Sequence, residues 1–132
     1  RIKMAAASDY LELKLLDHSL GTASMTAPST VYVGLHTGSP GDDNTGGNEI
    51  SGNGYTRKVA AFAAAASGSA STNATITFDA ATGTWGTITH ISIYDATTNG
   101  NLMFHGAVTT SKTIETGDTF QISTGNLTIS LD

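Results

Sequence analysis

The carboxylates are the first place to look for chemistry. Hydrolysis of a glycosidic bond needs two of them facing one cleft. Asp79 and Asp95 stand in segments that read as turns, and Glu115 and Asp118 flank another. Each is therefore expected to serve turn geometry or surface charge. The histidines are His18, His36, His90 and His105, and none has a partner at the i, i+4 spacing of a helical zinc site. Asp42, Asn44 and Gly46 echo a calcium loop. That loop needs an oxygen ligand where Gly46 stands and a glutamate at its twelfth position, and both are missing. There is no nucleophile elbow, phosphate loop or zinc motif. With no cysteine, disulfides and thiolate metal sites are excluded. The expectation is a non-enzymatic protein without cofactor or metal.

The elements that would position any site are mostly short strands. The stretch from Trp85 to Ala107 predicts a hairpin closed by Asn99-Gly100, a pair that tolerates positive φ. Ile91 and Ile93 alternate with Ser92 and Tyr94, and Leu102 and Phe104 with Met103 and His105. Pairing Ile93 with Leu102 sets Ile91 opposite Phe104 and His90 opposite His105. Trp85, the only tryptophan, is expected to pack rather than to carry a ligand.

Ahead of the hairpin, Ser8 can cap a helix with Asp9 at its first position, and Gly21 fits its end. At about 100° per residue, Leu13, Leu16 and Leu20 form one stripe, and Leu11 and Leu15 another on the opposite side. Two readings stand: a buried or loosely patterned helix, or one held between its own domain and a neighbour. Residues 22–30 form a polar connector, and Val31 to His36 a strand with Val31, Val33 and Leu35 inward. Residues 37–54 make a long loop, expected to be exposed and mobile or ordered by a neighbouring subunit. Tyr55 to Ala60 reads as a strand that resumes at Phe62 after a bulge, and Ser67 to Thr72 as a turn. Asn73 to Phe78 follows as a strand with Ala74, Ile76 and Phe78 inward. Beyond the hairpin come short strands at Lys112 to Glu115, around Phe120 and Ile122, and from Leu127 to Leu131. About eight short strands separated by turn residues predict an all-β fold, an antiparallel β-sandwich of jelly-roll type with one N-terminal α-helix. Residues 1–21 would form an arm and helix, with Arg1 to Lys3 a leader or alternative start before Met4, and residues 22–132 one sandwich domain.

Composition narrows the partners. Charged residues are 13% of a 132-residue chain whose formal net charge is −5, so nucleic acid is not an expected partner. No run approaches the roughly 18 apolar residues of a membrane span, so no membrane is expected, and the leucines near the N-terminus are too interrupted by charge for a secretory signal.

Five segments then read together: Tyr10-Leu11-Glu12 with Leu15-Leu16-Asp17-His18, Val31 to Pro40, Gly52 to Arg57, Thr84 to Ile91, and Gly117-Asp118-Thr119 with Gly125 to Thr128. In this order they resemble a family of small tailed-bacteriophage virion proteins, over nearly the whole chain. Members are often labelled tail-fibre proteins, and similar β domains act as capsid cement, or head-decoration, proteins. The resemblance implies a virion structural protein and carries over no catalytic residue. The leading expectation is a cement protein on the capsid surface, made in the host cytoplasm, that binds the major capsid protein and copies of itself as a homotrimer. The alternative is a tail-fibre or receptor-binding module whose 37–54 loop contacts host glycan. Tyr10, Leu11, Leu15 and His18 on the helix, and Asp42 and Asp43 in the loop, are the interface candidates.

Overall fold

A computed structural model describes residues 2–4 and 6–131. The strands are β1 (Ile2–Met4), β2 (Ala6–Ala7), β3 (Val31–His36), β4 (Lys58–Ala60), β5 (Ser69–Ser71), β6 (Ile76–Thr77), β7 (Gly86–Tyr94), β8 (Leu102–Ile114), β9 (Gln121–Ile122) and β10 (Leu127–Ser130), with the helix α1 (Asp9–Ser19) between β2 and β3. The fold is all-β, an antiparallel sandwich with one N-terminal helix. Its largest sheet has the order β2-β8-β7-β3-β4. A three-stranded sheet, β1-β10-β5, and the pair β6-β9 complete it, with β1 running parallel to β10. Ile2 and Lys3, read with Arg1 as a leader or alternative start, are thus part of a sheet. Strand pairing also ties the arm to the rest of the chain, through β1 on β10 and β2 on β8. Among the described residues, no helix is long and apolar enough to cross a membrane.

Period-two alternation builds the inner face of the large sheet. Val33 faces Ile93 and Leu35 faces Ile91 across β3 and β7, and all four are essentially closed to solvent. Ile88 is buried beside them although it lies three residues from Ile91. A strand of strict period two would turn one of the pair outward. The register shift between Ile88 and His90 resolves this: β7 spends Thr89 alone where β8 spends residues 108–111. Lys112 to Ile114 is therefore the end of β8, not a separate strand. Ile76, Ile122 and Leu127 from the smaller sheets, with Phe78 just after β6 and Phe120 just before β9, join the same core. Phe78 is the aromatic hub, edge-on to Trp85 at 6.5 Å and to Phe120 at 5.9 Å, with Tyr55 stacked at 6.2 Å. Trp85 packs as expected, and its indole N–H donates to the Asn53 carbonyl at 2.9 Å.

Three segments depart from the sequence reading. Ser67 to Thr72 is not a single turn, because Ser69–Ser71 forms β5 on β10. Only Lys58–Ala60 and Ile76–Thr77 are strand in their regions, and Ala74 is exposed. The central hairpin is out by two residues: Ile93 pairs with Phe104, Ser92 with His105 and His90 with Ala107. An even slip keeps side chains on their faces, so Ile91, Ile93 and Phe104 stay on one face while the opposition of His90 and His105 is lost. Leu102, expected inward, instead pairs with Tyr94 on the other face, and Met103 takes its place in the core. Asn99 and Gly100 do take the positive φ expected of them, 53° and 72°. A second irregularity at Tyr94 pairs it with Leu102, leaving Phe104 half-buried at the rim. Phe78→Ala is accordingly expected to cost about 3–5 kcal/mol, and Phe104→Ala clearly less. Urea unfolding of the two variants checks this, and an equal loss would contradict the assignment of Phe104 to the rim.

Candidate functional site

The second face of the large sheet is not left to water. Gly34, His36, Ser92 and Tyr94 stand on it and are all buried, because the 37–57 segment folds back over them. The edge of β3 dictates how. Residues Val31 to Val33 pair with β4, but beyond them the edge would carry free backbone groups. Ile50 N–H donates to the Leu35 carbonyl at 3.0 Å, Thr37 N–H to the Asn48 carbonyl at 3.0 Å, and Leu35 N–H to the Tyr55 hydroxyl at 3.0 Å. Pro40 and Ile50 are buried beneath the segment. The long loop is therefore fastened by its own chain, not left to a neighbour, although residues 42–47 remain exposed.

A chain of charged and polar groups secures the fold-over. The Tyr55 hydroxyl donates to Glu49 Oε2 at 2.6 Å. Arg57 grips the same carboxylate with both prongs, Nε to Oε2 at 2.7 Å and Nη2 to Oε1 at 2.8 Å. Its remaining nitrogen, Nη1, donates to the carbonyls of Ala96 and Asn99, both at 2.8 Å, tying in the hairpin turn. The guanidinium lies 3.6 Å from the centre of the Tyr94 ring. Tyr94 donates to Asn44 at 2.7 Å and stacks on His36 at 6.3 Å. His36 Nε2 meets Ser92 Oγ at 2.7 Å. Gly34 makes room: a Cβ there would come within 2.5 Å of Ser92 Oγ and 3.0 Å of Glu49 Oε2.

Burial and charge set the protonation states. Burial alone would raise Glu49, but hydrogen bonds from Arg57 and Tyr55 overcome it and hold the carboxyl below its usual range. Burial works against the Arg57 charge too, yet Glu49 pushes its pKa up. Burial, then the Glu49 charge, raises the Tyr55 and Tyr94 phenols. Burial drives His36 down to about 4. The arrangement holds a neutral histidine and an ion pair in fixed mutual bonds, which suits a structural lock. It borders a cleft of about 820 Å³ whose rim includes Asn48, Thr97 and Asn99.

The other candidate residues fall in different places. Ser8 caps α1 as expected: its hydroxyl accepts from Leu11 N–H at 3.1 Å and donates to the Leu102 carbonyl, and Ser8 N–H bonds Met103 O at 2.9 Å. These bonds fix the helix on β8. Leu11 is consequently in the core, 3% exposed, and Leu15 packs against it. Both correct the sequence reading, which offered them to a neighbour. Tyr10 is exposed with Lys14 over its ring, and His18 accepts from Met25 N–H at 3.1 Å. Asp42 joins His105 at 2.6 Å and takes Asp9 N–H on its carbonyl, while Asp43 accepts from Thr45. Both acids thus bond within the chain. Asp79 pairs with Lys58 at 3.0 Å, Asp95 accepts from Asn101, and Asp118 accepts from Glu115 N–H. His90 faces His36 on β3, with His105 diagonal to it.

Sequence reasoning missed the Glu49–Arg57 lock entirely. Two signals were available: Tyr55 and Arg57 share one side of an extended segment, and Gly34 interrupts an otherwise bulky strand. The family model described as "Podophage GP4 fiber I protein gp80" matches residues 6–130. No curated protein matches the chain.

Proposed function

Because this chain belongs to the family of the podophage GP4 fiber I protein gp80, we propose that it is a structural module of a virion fibre, working through surface contacts and catalysing no reaction. The observation that carries the reading is the family match over residues 6–130, whose description is of a fibre protein. The locked loop supports it, since a rim held by Glu49 and Arg57 presents the exposed residues 42–47 in a preset shape and loses little entropy on contact. On this reading the chain sits at the tail, its partners are copies of itself, arranged as a homotrimer, and a surface of the host cell. It binds neither nucleic acid nor membrane. The capsid-cement role, with the major capsid protein as partner, is the weaker reading because the family description names a fibre. Gold labelling of intact virions against an affinity tag on this chain tests the choice. Label on the tail at low copy number is expected. Label over the head, at hundreds of copies per particle, would restore the cement role.

A further inference from the structure

Among the described residues, the exposed large apolar side chains are few: Tyr10, Leu13, Leu16, Leu20, Val59 and Leu131. Four belong to α1 or its C-cap. Leu13, Leu16 and Leu20 are 65%, 55% and 74% exposed, and they share one helix face. The described residues leave them uncovered, because the Ser8 bonds and the burial of Leu11 hold the opposite face against β8. A fifth, Leu131, lines a groove of about 460 Å³ walled by Pro28, Val31, Phe62, Phe104 and Ile129. Among the described residues, no charged side chain lines it.

We propose that the Leu13-Leu16-Leu20 stripe of one copy docks into this groove on a second copy, head to tail. Sizes agree: a cavity left by one truncated core side chain is on the order of 150 Å³, so three leucines match the groove of about 460 Å³. The mode is an amphipathic helix in an apolar groove, read at i, i+3 and i+7. Stripe and groove are different surfaces, so the contact is heterologous and generates a closed ring or an open filament. In a ring every copy has both its stripe and its groove covered. The inference takes its partner, a second copy, from the self-association proposed above, and stands apart from the position of the protein in the virion.

The test uses the full chain in sedimentation velocity across a micromolar concentration series. Leu13→Ser/Leu16→Ser removes the stripe. Ala65→Glu, at an exposed groove residue, blocks the groove, and Leu131→Lys does so independently should Ala65→Glu fail to fold by circular dichroism. Wild type is expected to associate, and each variant to weaken association about tenfold or more. An equimolar mixture of a stripe variant and a groove variant keeps one intact stripe and one intact groove, so it is expected to form a one-to-one pair and stop. A monomeric wild type, association untouched by both groove variants, or a mixture that fails to pair would each overturn the proposal. Tail or head labelling of virions leaves this outcome unaffected, so failure of the fibre reading and failure of the docking contact are separable.

Discussion

Arg57→Ala is expected to cost about 2–4 kcal/mol of stability, somewhat less than the roughly 3–5 kcal/mol of breaking a fully buried pair. The discount follows from exposure: 7% of the Arg57 side chain and 25% of that of Glu49 reach solvent. Removal of the guanidinium strands a half-buried carboxylate and releases the Ala96 and Asn99 carbonyls. It also uncovers one face of Tyr94. For a chain of this size the loss corresponds to a fall in Tm of roughly 8–16 °C, at about 4 °C per kcal/mol. Arg57→Lys keeps the charge but not the two-pronged fork, and is expected to recover only part of the loss. The double variant Glu49→Leu/Arg57→Met, which strands no charge, is expected to be less damaging than Arg57→Ala. Thermal unfolding measures the stabilities, and hydrogen exchange at residues 95–101 reports whether the turn loosens. A loss under about 0.5 kcal/mol, of the size of an exposed pair, would show that the lock contributes nothing.

The inner face of the sandwich was legible because it obeys simple periodicities. Val33, Leu35, Ile91 and Ile93 alternate with polar residues, and Ser8 and Gly21 bracket the helix. What was illegible falls into two physical classes. The first is irregularity within strands. A bulge leaves no mark in composition, so the hairpin register and the long run of β8 were out of reach, and with them the position of His105. The second is contact across sequence. Two apolar stripes say that a helix has two customers but not which stripe the domain takes. The cap bonds from Ser8 to β8 decided it in favour of Leu11 and Leu15. Glu49 and Arg57 are eight residues apart in a loop whose glycines and asparagines suggest looseness. Only the free edge of β3 explains why that loop folds back. The second face of the sheet is thereby covered.

Lowering the pH from 6.5 toward 4 is expected to remove as much as about 3 kcal/mol of stability through His36 alone. The ring is 1% exposed. Its Nε2 meets Ser92 Oγ, and its Nδ1 is buried with no hydrogen-bond partner among the described residues. We assign the neutral proton to Nε2, donating to Ser92, because this leaves Nδ1 a bare lone pair and not an orphan donor. A second proton would create that orphan N–H in a closed space. Burial is the main cause of the depressed pKa of about 4; Glu49 favours the charged ring, while Arg57, His90 and His105 oppose it. His90 is lowered too, by burial and then by His105, and adds loss of the same sign. The unfolded histidine titrates near 6.5. Between that value and about 4 the unfolded chain therefore binds more protons than the folded one, so stability rises with pH across this window. The stabilisation is complete above about 6.5 and is lost as the pH falls through the window. Urea unfolding at pH 7.5, 6.5, 5.5 and 4.5, numbers chosen to bracket the window, measures it. His36→Gln, which cannot titrate, is expected to be less stable at neutral pH but to show a shallower decline. Equal slopes for wild type and variant between the two lower values would mean that His36 is not held neutral by the fold.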